Sequence, residues 1–360
     1  MRSAMRTPGL IAALLLLLAA GPAPGAPTAR PTLEVARDAK PPPGLTKLSS
    51  QIEDIQKVMA TRFGINTVYV VGGSARAVLD ASYGFAPLSM RDLDLFAVSN
   101  TPDRITRRMT DKVAGELSGL GYRRRPVEER LRGNPALGLK GINYNAGYGV
   151  FLNRPGDRTT VDLSLLHSEQ AFRLNGPLNI DRIRIPIRAG ETLVDVWRRM
   201  RGKPYQQVVR DGVVMDRSDG YLGWRTGKLR LVNTGDLWAD VERMKPRIVK
   251  SYLKAGAKMP ARLVRELRAI PQLRPRQPDL ELRYVQRVLD LPLPKAVEGL
   301  SLLRKLGSPI LNDGRLRSNP RYSEVQAAMA QPHRQAKRWP AAGRRPAHRA
   351  PAPRAAAGIR

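Results

Sequence analysis

Arg91-Asp-Leu-Asp-Leu-Phe96, met a short distance after Val70-Val-Gly-Gly-Ser-Ala-Arg76, decides how the chain is read. Leu93, Leu95 and Phe96, with Val98 beyond, make the first stretch a strand. Strand side chains alternate faces, so Asp92 and Asp94 leave one face together. Carboxylates two apart on a strand sit roughly 6.6 Å apart at Cα, and both can reach a pair of divalent ions held about 3.5–4 Å from one another. Hard cations with oxygen ligands, Mg²⁺ first among them, neutralise a triphosphate and activate an attacking hydroxyl. Alone, Asp-x-Asp more often ends a strand and caps a turn.

The upstream stretch supports the chemical reading. Residues 66–71 form an apolar, β-branched run broken by Gly72-Gly73, and residues 74–80 read as a helix with Ser74 as its N-cap. Glycines let a backbone approach a phosphate closely, and the free amides of a helix N-terminus attract anions. Arg76 adds a forked cationic donor. A plain strand-to-helix turn with Arg76 in solvent fits the same residues. A third carboxylate, Asp162, falls on an alternating strand over 158–166. That strand is expected to pair as a hairpin with 148–153 across Arg154-Pro-Gly-Asp157. Three acids could then meet on one sheet face, although a lone strand aspartate is commonly an exposed edge residue.

Taken together these segments resemble the family of bacterial poly(A) polymerases and CCA-adding tRNA nucleotidyltransferases. The family's Gly-Gly-x-x-Arg turn matches Gly72, Gly73 and Arg76, its Asp-x-Asp matches Asp92 and Asp94, and its third acid matches Asp162. Phe172-Arg-Leu-Asn-Gly176 is similar to its Phe-Thr-Ile-Asn-Ala, placing Asn175 with the nucleotide. Asp216, Gly220 and Arg230 match its Asp-Pro-x-Gly-Gly segment, and Ala239-Asp-Val-Glu-Arg243 its Glu-Asp-x-x-Arg helix, keeping Asp240 and Arg243. The resemblance implies an α+β head with a mixed sheet flanked by helices, followed by an all-helical neck and body. It implies transfer of a nucleoside monophosphate from a nucleoside triphosphate to an RNA 3′-hydroxyl. Asp92, Asp94 and Asp162 would be catalytic and hold Mg²⁺; Gly72, Gly73, Ser74, Arg76, Asn175, Asp240 and Arg243 would bind nucleotide. The sequence also departs from the family. Glu169-Gln170-Ala171 stands where the family has its ribose-holding Arg-Arg-Asp, Ala77 replaces an acid, and Ala239 replaces the glutamate of the nucleotide-selecting helix. A divergent member is implied. The rival expectation is an RNA-binding protein that has kept the fold without the catalysis; a third is transfer to an acceptor other than RNA.

Composition bears on the partner. The chain carries 62 Lys and Arg against 31 Asp and Glu, a net +31, and such an excess suits an anionic polymer such as RNA. With no cysteine and only three histidines, thiolate metal sites and disulfide frameworks are excluded. The turn at Gly72 lacks the Lys-Ser/Thr ending of a P-loop.

Residues 1–25 read as a secretory signal peptide: Arg2 and Arg6, an apolar run over 10–20, then small residues before Ala26. The run is shorter than the roughly 20 residues of a membrane span, so no stable membrane insertion is expected. A secreted or periplasmic location follows, with the cytoplasm as the alternative because nucleoside triphosphates and tRNA are found there. Residues 26–46 are expected to be a Pro-rich linker without fixed structure, 47–236 the head, 237–330 the helical neck and body, and 331–360 a disordered basic tail. Within these, 47–63 shows a helical apolar stripe, a helix is expected to start at 101–103, and Arg123 to Arg125 are expected on a solvated loop.

Overall fold

The computed structural model describes residues 33–90, 92–99, 107–124, 147–157, 159–166, 178–232, 245–270, 274 and 278–330. Helix α1 (Leu45–Phe63) leads into strand β1 (Thr67–Val71), helix α2 (Gly72–Ser82) and strand β2 (Asp92–Val98). Helix α3 (Arg107–Ser118), a short strand β3 (Arg123–Arg124) and the strands β4 (Gly147–Asn153) and β5 (Thr160–Leu166) follow. A 3-10 turn at Asn179–Arg182 precedes β6 (Arg184–Arg188), and then come α4 (Leu193–Met200), α5 (Tyr205–Arg210) and α6 (Gly220–Thr226). The rest is helical: α7 (Lys245–Ala255), α8 (Ala261–Ala269), α9 (Pro278–Leu289), α10 (Leu293–Lys305), α11 (Gly314–Arg317) and α12 (Pro320–Ala330). The architecture is therefore α+β, a mixed sheet flanked by helices and followed by helices alone.

The six strands run in the order β3-β4-β5-β2-β1-β6. Only β2 and β5 are parallel; the other pairings are antiparallel. Period-two alternation gives the sheet two unlike faces. One presents Val68, Val70, Leu93, Leu95, Val161 and Leu163 to the head's main core, together with the buried stripe Leu48, Ile52, Ile55 and Met59 of α1. The other carries a small apolar cluster of Tyr69, Val71, Phe96 and Leu166. A second large core lies in the helical part, where Ile248, Val249, Leu253, Val285, Val288 and Leu300 are buried. Leu178 and Ile180, on and beside the 3-10 turn, belong to that second core, while Ile183 and Ile185 immediately after them belong to the first.

Several expectations need correction. The Pro-rich segment is fixed from residue 33 onward. Leu33 and Val35 are buried in the head's core, and their carbonyls accept hydrogen bonds from Tyr205 N (2.8 Å) and Gly202 N (2.7 Å). Two buried apolar side chains and these two backbone hydrogen bonds hold it. Arg123 and Arg124 are on a short edge strand paired with Asn153 and Leu152 rather than in a loop, and Arg124 Nη1 donates to Asp111. The hairpin of β4 and β5 matches expectation, closed by Asp157 N donating to Arg154 O at 2.9 Å. The expected helix start at 101–103, residues 1–32, the stretch 237–244 and the tail from 331 lie outside the described residues. Among the described residues no helix is long and apolar enough to cross a membrane.

Candidate active site

Parallel pairing of β2 with β5 sets Asp94 beside Asp162 and Asp92 beside Thr160. Neighbouring strands are about 4.8 Å apart, so the Asp94 and Asp162 side chains leave adjacent points of one face, with Asp92 two residues away on that face. It is the face that carries Phe96 and Leu166, whose burial closes it at the far end. Asp92, Asp94 and Asp162 are half-buried. This is the parity that the alternating apolar residues predicted, because Leu93 and Leu95 are taken by the core behind the sheet.

The glycine turn sits directly against this row. Gly72 has φ +59°, the left-handed region that only glycine enters without strain, and it lets β1 pass straight into α2. A Cβ at Gly72 would lie 3.2 Å from Asp94 Oδ2, and one at Gly73 would lie 3.8 Å from the same oxygen. The turn thus cradles the Asp94 carboxylate at the amide end of a helix, where the backbone dipole favours negative charge.

Ser74 is not the N-cap of α2. That position is taken by Val71, ahead of the glycines, without any side-chain cap. The Ser74 hydroxyl is turned to β2 instead: it donates to Asp92 O at 3.0 Å and accepts from Asp94 N at 2.8 Å. One buried hydroxyl therefore pins the aspartate strand to the glycine helix.

Arg76 is also turned inward. Its Nη1 donates to Ile180 O at 3.0 Å, and its guanidinium lies 5.1 Å from the Trp224 ring centroid. Burial lowers its pKa from the ordinary value; Asp181, Asp94 and Asp80 act against this, while Arg247 adds to it.

Opposite the carboxylates, α7 and α9 supply cations that sequence reasoning missed. Arg247 Nη2 is 2.8 Å from Asp181 Oδ1. Burial alone would lower the Arg247 pKa, but Asp181, together with Tyr284 and Asp94, outweighs it and holds the guanidinium above its ordinary value. Lys250 Nζ lies 4.9 Å from the Tyr284 ring centroid. Its pKa is pushed well below the usual value, by burial first and then by Arg247, Arg287, Lys254 and Arg76. Arg287 Nη2 reaches Asp92 Oδ2 at 3.4 Å. The site is a row of carboxylates on a sheet facing a bank of cations on helices. The spacing of Arg247, Lys250 and Lys254 along about two turns of helix was a visible signal; nothing local marked Arg287.

The motif Asp216, Gly220, Arg230 has a structural role. Asp216 accepts from Gly220 N (2.7 Å), Tyr221 N (2.9 Å) and Tyr205 OH (2.7 Å), fixing the start of α6. A Cβ at Gly220 would meet Asn179 O at 2.4 Å, so the helix can approach the 3-10 turn only with glycine there. Asp80 of α2 ties the same helix back, accepting from Tyr221 OH (3.0 Å), Trp224 Nε1 (3.2 Å) and Arg225 Nη1 (3.3 Å). Asn175, Asp240 and Arg243 lie outside the described residues.

The donor set suits a hard divalent cation, being carboxylate oxygen in a glycine-walled recess. Among the described residues, however, no three acidic, histidine or cysteine side chains come close enough together to hold an ion. Asp94 and Asp162 are strand neighbours, while Asp92 is engaged by Arg287.

No protein-family model matches the chain, and no curated protein matches it. Among solved structures it is similar to a CCA-adding enzyme in complex with ATP, at 12% identity and TM-score 0.44, over 73% of this chain and 52% of that one. It is similar also to an apo form of a CCA-adding enzyme, at 13% identity and TM-score 0.39, over 79% of this chain and 51% of that one. The chain spans about half the length of those structures.

Proposed function

We propose that this protein is a divergent nucleotidyltransferase of the poly(A) polymerase and CCA-adding type, transferring a nucleoside monophosphate from a nucleoside triphosphate to an RNA 3′-hydroxyl. The observation that carries the reading is the register of β2 and β5, which sets Asp94 next to Asp162 with Asp92 on the same face, against a glycine turn shaped around the Asp94 carboxylate.

Asp92, Asp94 and Asp162 would hold Mg²⁺, which when bound lowers the pKa of the attacking hydroxyl and screens the phosphates. The chain's own groups do the rest. The amides of the Gly72-Gly73 turn face the anionic end of the nucleotide. Ser74 keeps Asp92 and Asp94 in place through the β2 backbone, and Arg76, Arg247 and Lys250 make the potential at the site more positive, which stabilises a bound polyphosphate. In the transfer the 3′-oxygen bonds to the α-phosphorus, the bond from that phosphorus to the bridging oxygen breaks, and pyrophosphate leaves. The hydroxyl proton passes to an Asp162 carboxylate oxygen. Asn175, Asp240 and Arg243 are assigned to the nucleotide on the strength of the motif resemblance. The net charge of +31 supports RNA as the acceptor, and the N-terminal pattern supports export.

The test is incubation of the full chain with Mg²⁺, labelled ATP or CTP and mixed small RNAs, beside the Asp92→Asn/Asp94→Asn double variant. Label entering RNA with the native protein alone supports the reading; equal label with both proteins refutes it. Absence of label with undiminished RNA binding by both proteins would favour a second reading, an RNA-binding protein without transfer. One observation favours that alternative, namely the engagement of Asp92 by a guanidinium.

A further inference from the structure

Arg287 presents a puzzle that the proposed reaction does not absorb. It comes from α9 in the helical part, yet its Nη2 lies 3.4 Å from Oδ2 of Asp92, the first acid of the Asp-x-Asp pair, at the opposite wall of the site. Neither partner is deeply buried: the side chains keep 40% and 32% of their exposure. Such pairs exchange partners readily, because an exposed ion pair is stabilised by little. Arg287 also stands in a crowd of its own sign. Lys250 feels Arg247, Arg287, Lys254 and Arg76, all as repulsion. Of the carboxylates that offset this crowd, Asp181 is committed to Arg247, and Asp94, which lies against the glycine turn, acts on Arg76 and Arg247.

We propose that Arg287 is a placeholder for the divalent cation, occupying Asp92 while the site is empty and released by the cation to bind a phosphate of the incoming polyphosphate. The proposal rests on the nucleotidyltransferase reading and adds an order of events to it. Two counter-ions exchange at one carboxylate, so cation binding and phosphate binding become coupled through a single side chain. Without the cation, Arg287 occupies Asp92. With the cation in place, a guanidinium has lost its carboxylate beside Lys250 and Arg247, and an anionic phosphate is the partner that relieves the repulsion. The linkage is reciprocal: whatever the cation does for phosphate affinity, phosphate does for cation affinity.

Opposite changes in two affinities test this. Binding of Mn²⁺ alone is measured by electron paramagnetic resonance, and binding of inorganic triphosphate in the presence of Mn²⁺ by calorimetry. The full-length protein is compared with Arg287→Ala, Arg287→Lys and Asp92→Asn, each checked for a native melting transition. Arg287→Ala is expected to bind Mn²⁺ about fivefold more tightly, the scale of one exposed ion pair, and triphosphate more weakly. Arg287→Lys should stay near the native protein in both, and Asp92→Asn should bind Mn²⁺ poorly. A merely structural arginine would weaken both ligands or neither. Mn²⁺ affinity unchanged in Arg287→Ala but lost in Asp92→Asn overturns the placeholder and leaves the nucleotidyltransferase reading standing. Failure of both the native protein and Arg287→Ala to bind Mn²⁺ overturns the two together.

Discussion

Replacing Gly72 by alanine isolates the contact between the glycine turn and the carboxylate row. At φ +59° an L-residue is strained by about 1–2 kcal/mol. The new Cβ would also stand 3.2 Å from Asp94 Oδ2, tighter than ordinary contact, so the carboxylate must give by a few tenths of an ångström. Gly64, at the end of α1, supplies the comparison: its φ is +66° and a Cβ there meets nothing within 4 Å. Both alanine variants should therefore lose about 1–2 kcal/mol of stability, read as a fall in melting temperature of roughly 2–4 °C per kcal/mol for a domain of this size. Only Gly72→Ala should also lose function. Displacing a carboxylate by a fraction of an ångström is expected to weaken Mn²⁺ binding and nucleotide transfer about tenfold, since misplacement by 1 Å can cost ~100-fold. Thermal unfolding by circular dichroism and an Mn²⁺ titration are the assays. If the two folded variants bind Mn²⁺ equally well, the turn is not fitted to Asp94 and the reasoning fails.

Gly220→Ala is expected to cost about 3 kcal/mol or more, because the clash at 2.4 Å is with the backbone carbonyl of Asn179 rather than a flexible side chain; chemical denaturation giving less than about 1 kcal/mol would contradict it. Asp80→Ala strips partners from Tyr221, Trp224 and Arg225 and should destabilise by about 2–4 kcal/mol, whereas Asp80→Asn should recover part of that; identical behaviour of the two variants would refute the hydrogen-bonding account. Lys250 has a folded pKa depressed by burial and then by Arg247, Arg287, Lys254 and Arg76, below the unfolded value of about 10.4. Stability is then lost as pH falls from the unfolded value through the folded one. Lys250→Met should accordingly be stabilising at about pH 7 and nearly neutral at about pH 11, and an equal effect at both would disprove the linkage.

Much of the head was legible because its signals are local. Alternation in Leu93-Asp-Leu95 and Val161-Asp-Leu163 fixed which residues face the core, and with it the common face of Asp92, Asp94 and Asp162. The stripe on α1 and the turn of β4 and β5 were legible for the same reason. What escaped was set by distant partners. Ser74 looked like a cap by its neighbours, but its hydroxyl bonds to β2, eighteen and twenty residues on. Arg76 also reaches Ile180 O and the Trp224 ring, and neither contact has a signature in local periodicity. Leu33 and Val35 were hidden by surrounding prolines, whose composition suggests an open chain. Arg287 meets Asp92 only through packing of α9 opposite the sheet.

The short 3-10 turn between the two cores has a mechanical consequence. Leu178 and Ile180 are sunk among the helices while Ile183 and Ile185, next along the same backbone, are sunk beneath the sheet. The turn therefore rivets one core to the other. Because one short stretch of backbone is buried in both cores, loss of either core uncovers side chains next to the other. Amide exchange in β6 and α7 should consequently report one shared opening free energy.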